Sequence, residues 1–205
     1  MPAKEVSSVS LPRIFCLVSS NDDLTLLGDL AAMGVDGFQV RDKSATAHEL
    51  VELTRVVIAA VRPFGAGVVV NDRVDVALAA GADGVHLGAD DLPVANATEI
   101  GPHLLVGATC RDRADVERAA AAGAAYAGFG PVFETTSKTG LPAACGLAGV
   151  SAARGVLPLV AIGGITPGRA RAVRDAGAHG VAVLGAIWRE PDPLAIAKEL
   201  VREAG

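Results

Sequence analysis

Four times along the chain an alanine-rich helical run ends in a glycine and passes into a short apolar stretch. The phrases are AAMGVDGFQV at 31–40, AAGADGVHLG at 79–88, AAAGAAYAGFG at 120–130 and RDAGAHGVAVLG at 174–185. Glycine after such a helix suits a left-handed C-cap, where no β-carbon clashes, and the apolar run suits a strand covered on both faces. Repeated helix-to-strand hand-offs of this kind dictate parallel β/α architecture. In such a sheet the residues after each strand collect at one edge. Here they are Gln39, Arg41 and Lys43, then Asp90 and Asp91, then Thr135, Thr136, Ser137 and Lys138, then Gly185.

The pattern predicts strands at 13–18, 35–40, 66–70, 83–87, 104–108, 125–130, 157–162 and 179–184. Helices fall between them, the first opening near 21–23 and the others at about 46–61, 74–80, 94–100, 112–122, 147–153, 167–176 and 192–203. Residues 1–12 read as a loose lead-in. Eight strands alternating with eight helical segments in 205 residues make an α/β fold, a compact single-domain (β/α)8 TIM barrel. An open doubly wound sheet is the rival, but no GxGxxG follows the first strand, and eight strands close naturally.

Composition narrows the partners. With 51% hydrophobic residues but only 3% aromatics, the core must be built from Ala, Val, Leu and Ile, and base-stacking platforms for single-stranded nucleic acid are excluded. A formal charge of -5 offers no basic face for a phosphate backbone, which leaves small anionic ligands as the expected partners and homo-oligomerisation open. Cys16, Cys110 and Cys145 are odd in number and lack metal or redox spacing, so they read as reduced thiols of a cytoplasmic protein. The opening MPAKEVSSVSLPR lacks a signal-like apolar run, and no stretch is long and apolar enough to span a membrane.

In a barrel the chemistry sits at the carboxyl ends of the strands. Period two puts Gln39, Arg41 and Lys43 on one side of an extended segment, where two cations and an amide suit a diphosphate or a carboxylate. Asn71-Asp72 ends strand 3 and Asp90-Asp91 follows strand 4, so carboxylates on one rim could share Mg²⁺, a hard ion that takes one or two of them. The competing reading is that Asp72 and Asp90 cap the helices that follow. Thr109 ends strand 5. Thr135, Thr136, Ser137 and Lys138 offer three hydroxyls and a point charge to phosphate oxygens. Gly163-Gly164 and Gly185 follow strands 7 and 8, where this fold frequently binds phosphate through backbone N–H groups. His48, His86, His103 and His179 show no metal spacing and read as structural or surface residues.

Taken together, QVRDK (39–43), NDRVDVALAAGADGVHLGADDLP (71–93), GFGPVFETTSK (128–138) and AIGGITP (161–167) resemble the thiamine phosphate synthase family, in order along the chain from strand 1 to about residue 190. The resemblance implies a barrel transferase that couples 4-amino-2-methyl-5-hydroxymethylpyrimidine diphosphate to a thiazole phosphate, giving thiamine phosphate and diphosphate with the help of Mg²⁺. It implies that Gln39, Val40, Arg41, Asp42, Lys43, Asn71, Thr109 and Lys138 meet the pyrimidine diphosphate, with Arg41, Lys43 and Lys138 catalytic. Thr135, Thr136, Ser137, Gly164, Leu184 and Gly185 would meet the thiazole phosphate, and Asp72 and Asp91 the Mg²⁺. In the implied mechanism diphosphate leaves first and the thiazole nitrogen attacks the remaining pyrimidine-methylene cation, so no side-chain nucleophile is needed.

The chain departs from that family's pattern at three places. Thr109 stands where serine is usual, Glu134 where proline is usual and Gly185 where serine is usual. Glu134 matches the sister thiazole tautomerases, which aromatise the thiazole and make up the alternative reading. That branch uses a histidine just after strand 5, where this chain has Arg111, and tends to lack the two acids present here.

Overall fold

The glycine of each repeated phrase has the left-handed backbone that its position requires. In the computed structural model, which describes residues 10–135 and 143–205, φ is +108° at Gly34, +74° at Gly81, +93° at Gly123 and +109° at Gly177. The next residue's N–H then reaches back to a carbonyl in the helix, Val35 to Leu30, Ala82 to Ala77, Ala124 to Ala119 and Ala178 to Val173, at 2.9 to 3.3 Å. This is the Schellman closure, and it satisfies carbonyls that the ending helix would otherwise leave without partners.

Each closure launches a strand. The strands are β1 (Ile14–Val18), β2 (Gly37–Val40), β3 (Gly67–Asn71), β4 (Gly84–Leu87), β5 (Leu105–Cys110), β6 (Tyr126–Phe129), β7 (Leu159–Ile162) and β8 (Gly180–Val183). They pair in parallel in chain order, and β8 pairs with β1, so the barrel is closed. The helices are α1 (Leu27–Ala32), α2 (Ala47–Val61), α3 (Val74–Ala80), α4 (Val94–Ile100), α5 (Arg113–Ala121), α6 (Gly146–Ala153), α7 (Pro167–Asp175), α8 (Gly185–Trp188) and α9 (Pro193–Ala204). The sequence pattern did not predict α8; its four residues are too few to show helical periodicity. None of the helices among the described residues is long and apolar enough to cross a membrane.

Alternation along the strands divides the core in two. Cys16, Val18, Phe38, Val40, Val68, Val70 and Val85 face the helices, while Phe15, Leu17, Val69, Tyr126, Val160 and Ala182 fill the barrel. Glycines make room for the few large interior side chains. A β-carbon on Gly107 would lie 2.1 Å from Tyr126 Cζ, and one on Gly128 would lie 2.5 Å from His86 Cε1. The interior is therefore a packed core, and a ligand must bind at its mouth.

The opposite end of the barrel is held by the acid in the repeated phrase. Asp36 accepts from the backbone N–H of Arg13 and Ile14 at 2.8 to 3.0 Å, and Asp83 accepts from Val68 N–H at 2.8 Å. Helix α2 starts in a capping box: Thr46 Oγ1 accepts from Glu49 N–H at 3.3 Å, and Glu49 accepts from Thr46 N–H at 2.8 Å. Thr46→Ala should cost about 1 kcal/mol. In urea denaturation that appears as a lower midpoint with an unchanged slope.

Candidate active site

The carboxyl ends of β2, β3 and β4 bring a cation and two acids together. Lys43 Nζ lies 3.3 Å from Asp72 Oδ2. Asp72 has φ +65°, the one positive φ of a non-glycine residue among those described, and its N–H donates to His86 O at 2.8 Å. Such a backbone is costly for most residues and is held here, in the loop from β3 to α3, by that hydrogen bond to β4. Asp91 closes the turn after β4, its Oδ2 accepting from Gly88 N–H at 2.7 Å. Burial pushes the Asp72 carboxyl above its ordinary range and nearby Asp91 pushes it further, while Lys43 acts in the opposite direction. The capping alternative for the acids is not what the structure shows. Helix α3 has Arg73 at its N-cap and α4 has Pro93, neither with a side-chain cap.

Beside this cluster an open cavity of about 300 Å³ is lined by Ser19, Asn21, Arg41, Asp42, Lys43, Ser44 and Leu184. It joins the ends of β1, β2 and β8, so Arg41 and Lys43, expected at the diphosphate, border the same space as Leu184, expected at the thiazole phosphate. The buried Gln39 and the half-buried Asn71 share the inward faces of β2 and β3. Two members of the QVRDK stretch engage the scaffold. Val40 is fully buried against the helices, and Asp42 accepts from the N–H and hydroxyl groups of both Ser20 and Ser44. Those hydrogen bonds hold the Asp42 carboxyl well below the usual range. Asp42 therefore ties the loop after β1 to the loop after β2, and Arg41 and Lys43 project from a fixed turn.

On the neighbouring strands Thr109 is exposed to the mouth, and its Oγ1 lies 3.1 Å from His86 Nε2. His86 Nδ1 in turn lies 3.2 Å from the Tyr126 hydroxyl. Burial lowers the His86 pKa to about 4, which makes the ring neutral at physiological pH. From the sequence alone His86 reads as a structural or surface residue. The spacing Gly84-x-His86-x-Gly88 was the available signal, because period two from an inward glycine turns the imidazole toward the mouth.

The side expected to meet the thiazole phosphate is framed by backbone. The segment after β6 runs along the end of β7, with Val132 N–H donating to Ile162 O and Phe133 N–H to Gly163 O, both at 2.9 Å. Gly164 has φ +64°, and a β-carbon there would lie 2.5 Å from Glu134 O, so no other residue lets the two loops meet this closely. Arg169 of α7 donates to Gly164 O at 2.7 Å and places its guanidinium 4.5 Å from the centre of the Phe133 ring. Thr135 closes this described segment; Thr136, Ser137 and Lys138 lie outside the described residues. Gly185 opens α8, which is pinned to β1 by Trp188 Nε1 donating to Leu17 O at 2.7 Å. Arg111, just beyond β5, is exposed, and its N–H donates to Asp115.

The chain matches the family model described as thiamine monophosphate synthase over residues 13–187. It is 47% identical over 173 residues to the thiamine-phosphate synthase of Methanoculleus marisnigri, covering 83% of this chain and 82% of that one. It is 45% identical over 196 residues to the thiamine biosynthesis bifunctional protein ThiM/ThiE of Symbiobacterium thermophilum, covering 93% of this chain but 40% of that longer protein. Among solved structures, thiamine phosphate pyrophosphorylase from Pyrococcus furiosus superposes with a TM-score of 0.85 at 32% identity, covering 94% of this chain and 95% of that one.

Proposed function

The chain belongs to the thiamine monophosphate synthase family, and we propose that it couples a pyrimidine diphosphate to a thiazole phosphate, forming thiamine phosphate and releasing diphosphate. The observation that carries this reading at the level of chemistry is the convergence of Lys43, Asp72 and Asp91 beside the cavity of Arg41 and Leu184.

The acids fit a magnesium ion. Asp72 and Asp91 are hard oxygen donors, and burial together with the neighbouring Asp91 raises the Asp72 carboxyl, so a divalent cation would offset charge that is poorly compensated there. Asp72 and Asp91 would hold Mg²⁺, which supplies positive charge that offsets the charge of the departing diphosphate. Arg41 and Lys43 bind the same diphosphate oxygens through charge-assisted hydrogen bonds. Gln39 and Asn71 offer amides at the foot of the site, where the pyrimidine end of the substrate enters. The C–O bond to diphosphate breaks with its electron pair going to oxygen, and the thiazole nitrogen lone pair forms the new C–N bond. No proton moves at the reacting carbon, so catalysis rests on charge stabilisation and on holding the two substrates in one cavity. The loops around Gly164 and Gly185 are read as the seat of the thiazole phosphate. Cys16 and Cys110 are buried free thiols, which supports a cytoplasmic setting.

Purified protein given both substrates and Mg²⁺ should form thiamine phosphate, and chelation of the metal by EDTA should stop it. Conversion of a thiazole isomer without the pyrimidine substrate, unaffected by EDTA, would overturn the reading in favour of tautomerisation.

A further inference from the structure

Three adjacent strands carry a polar string through the barrel interior. Tyr126 on β6, His86 on β4 and Thr109 on β5 are linked by the 3.2 Å and 3.1 Å contacts of the two imidazole nitrogens. The string is built into the fold. His86 pairs in register with Gly107, and Gly107 with Tyr126. A β-carbon on Gly107 would collide with the phenol and one on Gly128 with the imidazole, so both glycines shape a slot for these rings. Phe15 stacks on the phenol with ring centres 5.9 Å apart.

The chemistry of the groups fixes the direction of the protons. The Tyr126 phenol is 2% exposed, and burial raises its pKa, so it keeps its proton. Its one hydrogen-bond partner among the described residues is His86 Nδ1. A buried hydroxyl that fails to donate is left with an uncompensated desolvation penalty, so the phenol donates and Nδ1 accepts. A neutral imidazole then carries its proton on Nε2 and donates to Thr109 Oγ1. With that oxygen accepting from below, the threonine's own hydrogen is directed into the mouth, where the side chain is exposed.

We propose that His86, held as the Nε2–H tautomer by Tyr126, is a positioning residue that makes Thr109 a hydrogen-bond donor to an acceptor atom of the pyrimidine substrate, a ring nitrogen and not its amino group. The choice of ligand rests on the synthase reading above, whereas the tautomer does not. Long-range ¹H–¹⁵N correlation spectra of protein labelled at histidine should show His86 Nδ1 unprotonated and Nε2 protonated at pH 7.5, and Tyr126→Phe should remove that preference. His86→Leu should raise KM for the pyrimidine diphosphate about tenfold, the effect of one lost hydrogen bond, and leave KM for the thiazole phosphate within about twofold. His86→Gln, whose amide nitrogen can stand where Nε2 stands, should recover most of the difference. A proton on Nδ1, or equal changes in both KM values, would overturn the inference. Because the tautomer is read on the protein alone, a protein that shows it but forms no thiamine phosphate would overturn the function and leave the hydrogen-bond assignment standing.

Discussion

Asp72→Asn should lower turnover at least about a thousandfold, roughly 4 kcal/mol of lost transition-state stabilisation, without unfolding the protein. Asparagine is the informative replacement because it tolerates the positive φ of 65° that alanine would strain. It also keeps the backbone link from residue 72 to His86 O while removing the charge that Lys43 and a metal would meet. Stability should move the other way. Burial and Asp91 raise the Asp72 carboxyl above its unfolded value, so the folded state binds more protons than the unfolded state between the two values. The stability this provides is lost as pH rises through the folded value. At pH 7.5 the ionised Asp72 is a net cost to the fold, because its ion pair with the exposed Lys43 returns little. Thermal unfolding should therefore place Asp72→Asn at or above the parent protein at pH 7.5, with the advantage shrinking as pH falls through the folded value and gone below about pH 4, where an unfolded carboxyl is protonated as well. Lost activity with retained stability marks a residue kept for chemistry; loss of both would make Asp72 a structural residue.

The second large effect falls on a glycine of the repeated phrase. Gly84→Ala should cost about 3 kcal/mol or more and deplete the folded state, because the new β-carbon would lie 2.3 Å from Leu105 O and 2.9 Å from Leu105 Cβ on the paired strand. Neither atom can yield without breaking the β4–β5 ladder. Gly81, three residues earlier, is a sharp comparison: it has φ +74° and no atom within 4 Å of an added β-carbon. Gly81→Ala should cost only the left-handed strain of about 1 to 2 kcal/mol. Urea titration of both variants separates the two roles, a cap at the end of the helix and a close approach at the start of the strand.

These two glycines also show what the sequence makes legible. The Gly-x-x-Gly core of AAGADGVHLG declares where the helix ends and where the strand begins, and in all eight cases the strand lies within two residues of its expected bounds. Lys43, Asp72 and Asp91 were also readable, since each stands just past a strand and the fold gathers strand ends on one rim. Other features depend on cross-strand register, which no local pattern encodes. Asp42 stands in the middle of the QVRDK stretch but is taken up by Ser20, 22 residues away, across the β1–β2 junction. Val40 follows the alternation that turns Gln39 inward and is thereby turned outward into the helices. His86 gains its meaning from Thr109 and Tyr126 on the next two strands. The short α8 is held by Trp188 reaching back to Leu17, a contact between the two ends of the barrel sequence.

The central claim is that the two substrates become one product on this rim. ³¹P NMR of the protein with pyrimidine diphosphate, thiazole phosphate and Mg²⁺ follows both phosphorus-containing products at once. Thiamine phosphate and inorganic diphosphate should grow together in equal amounts, with Asp72→Asn showing neither. Diphosphate without thiamine phosphate, or no change in either substrate with the parent protein, would contradict it.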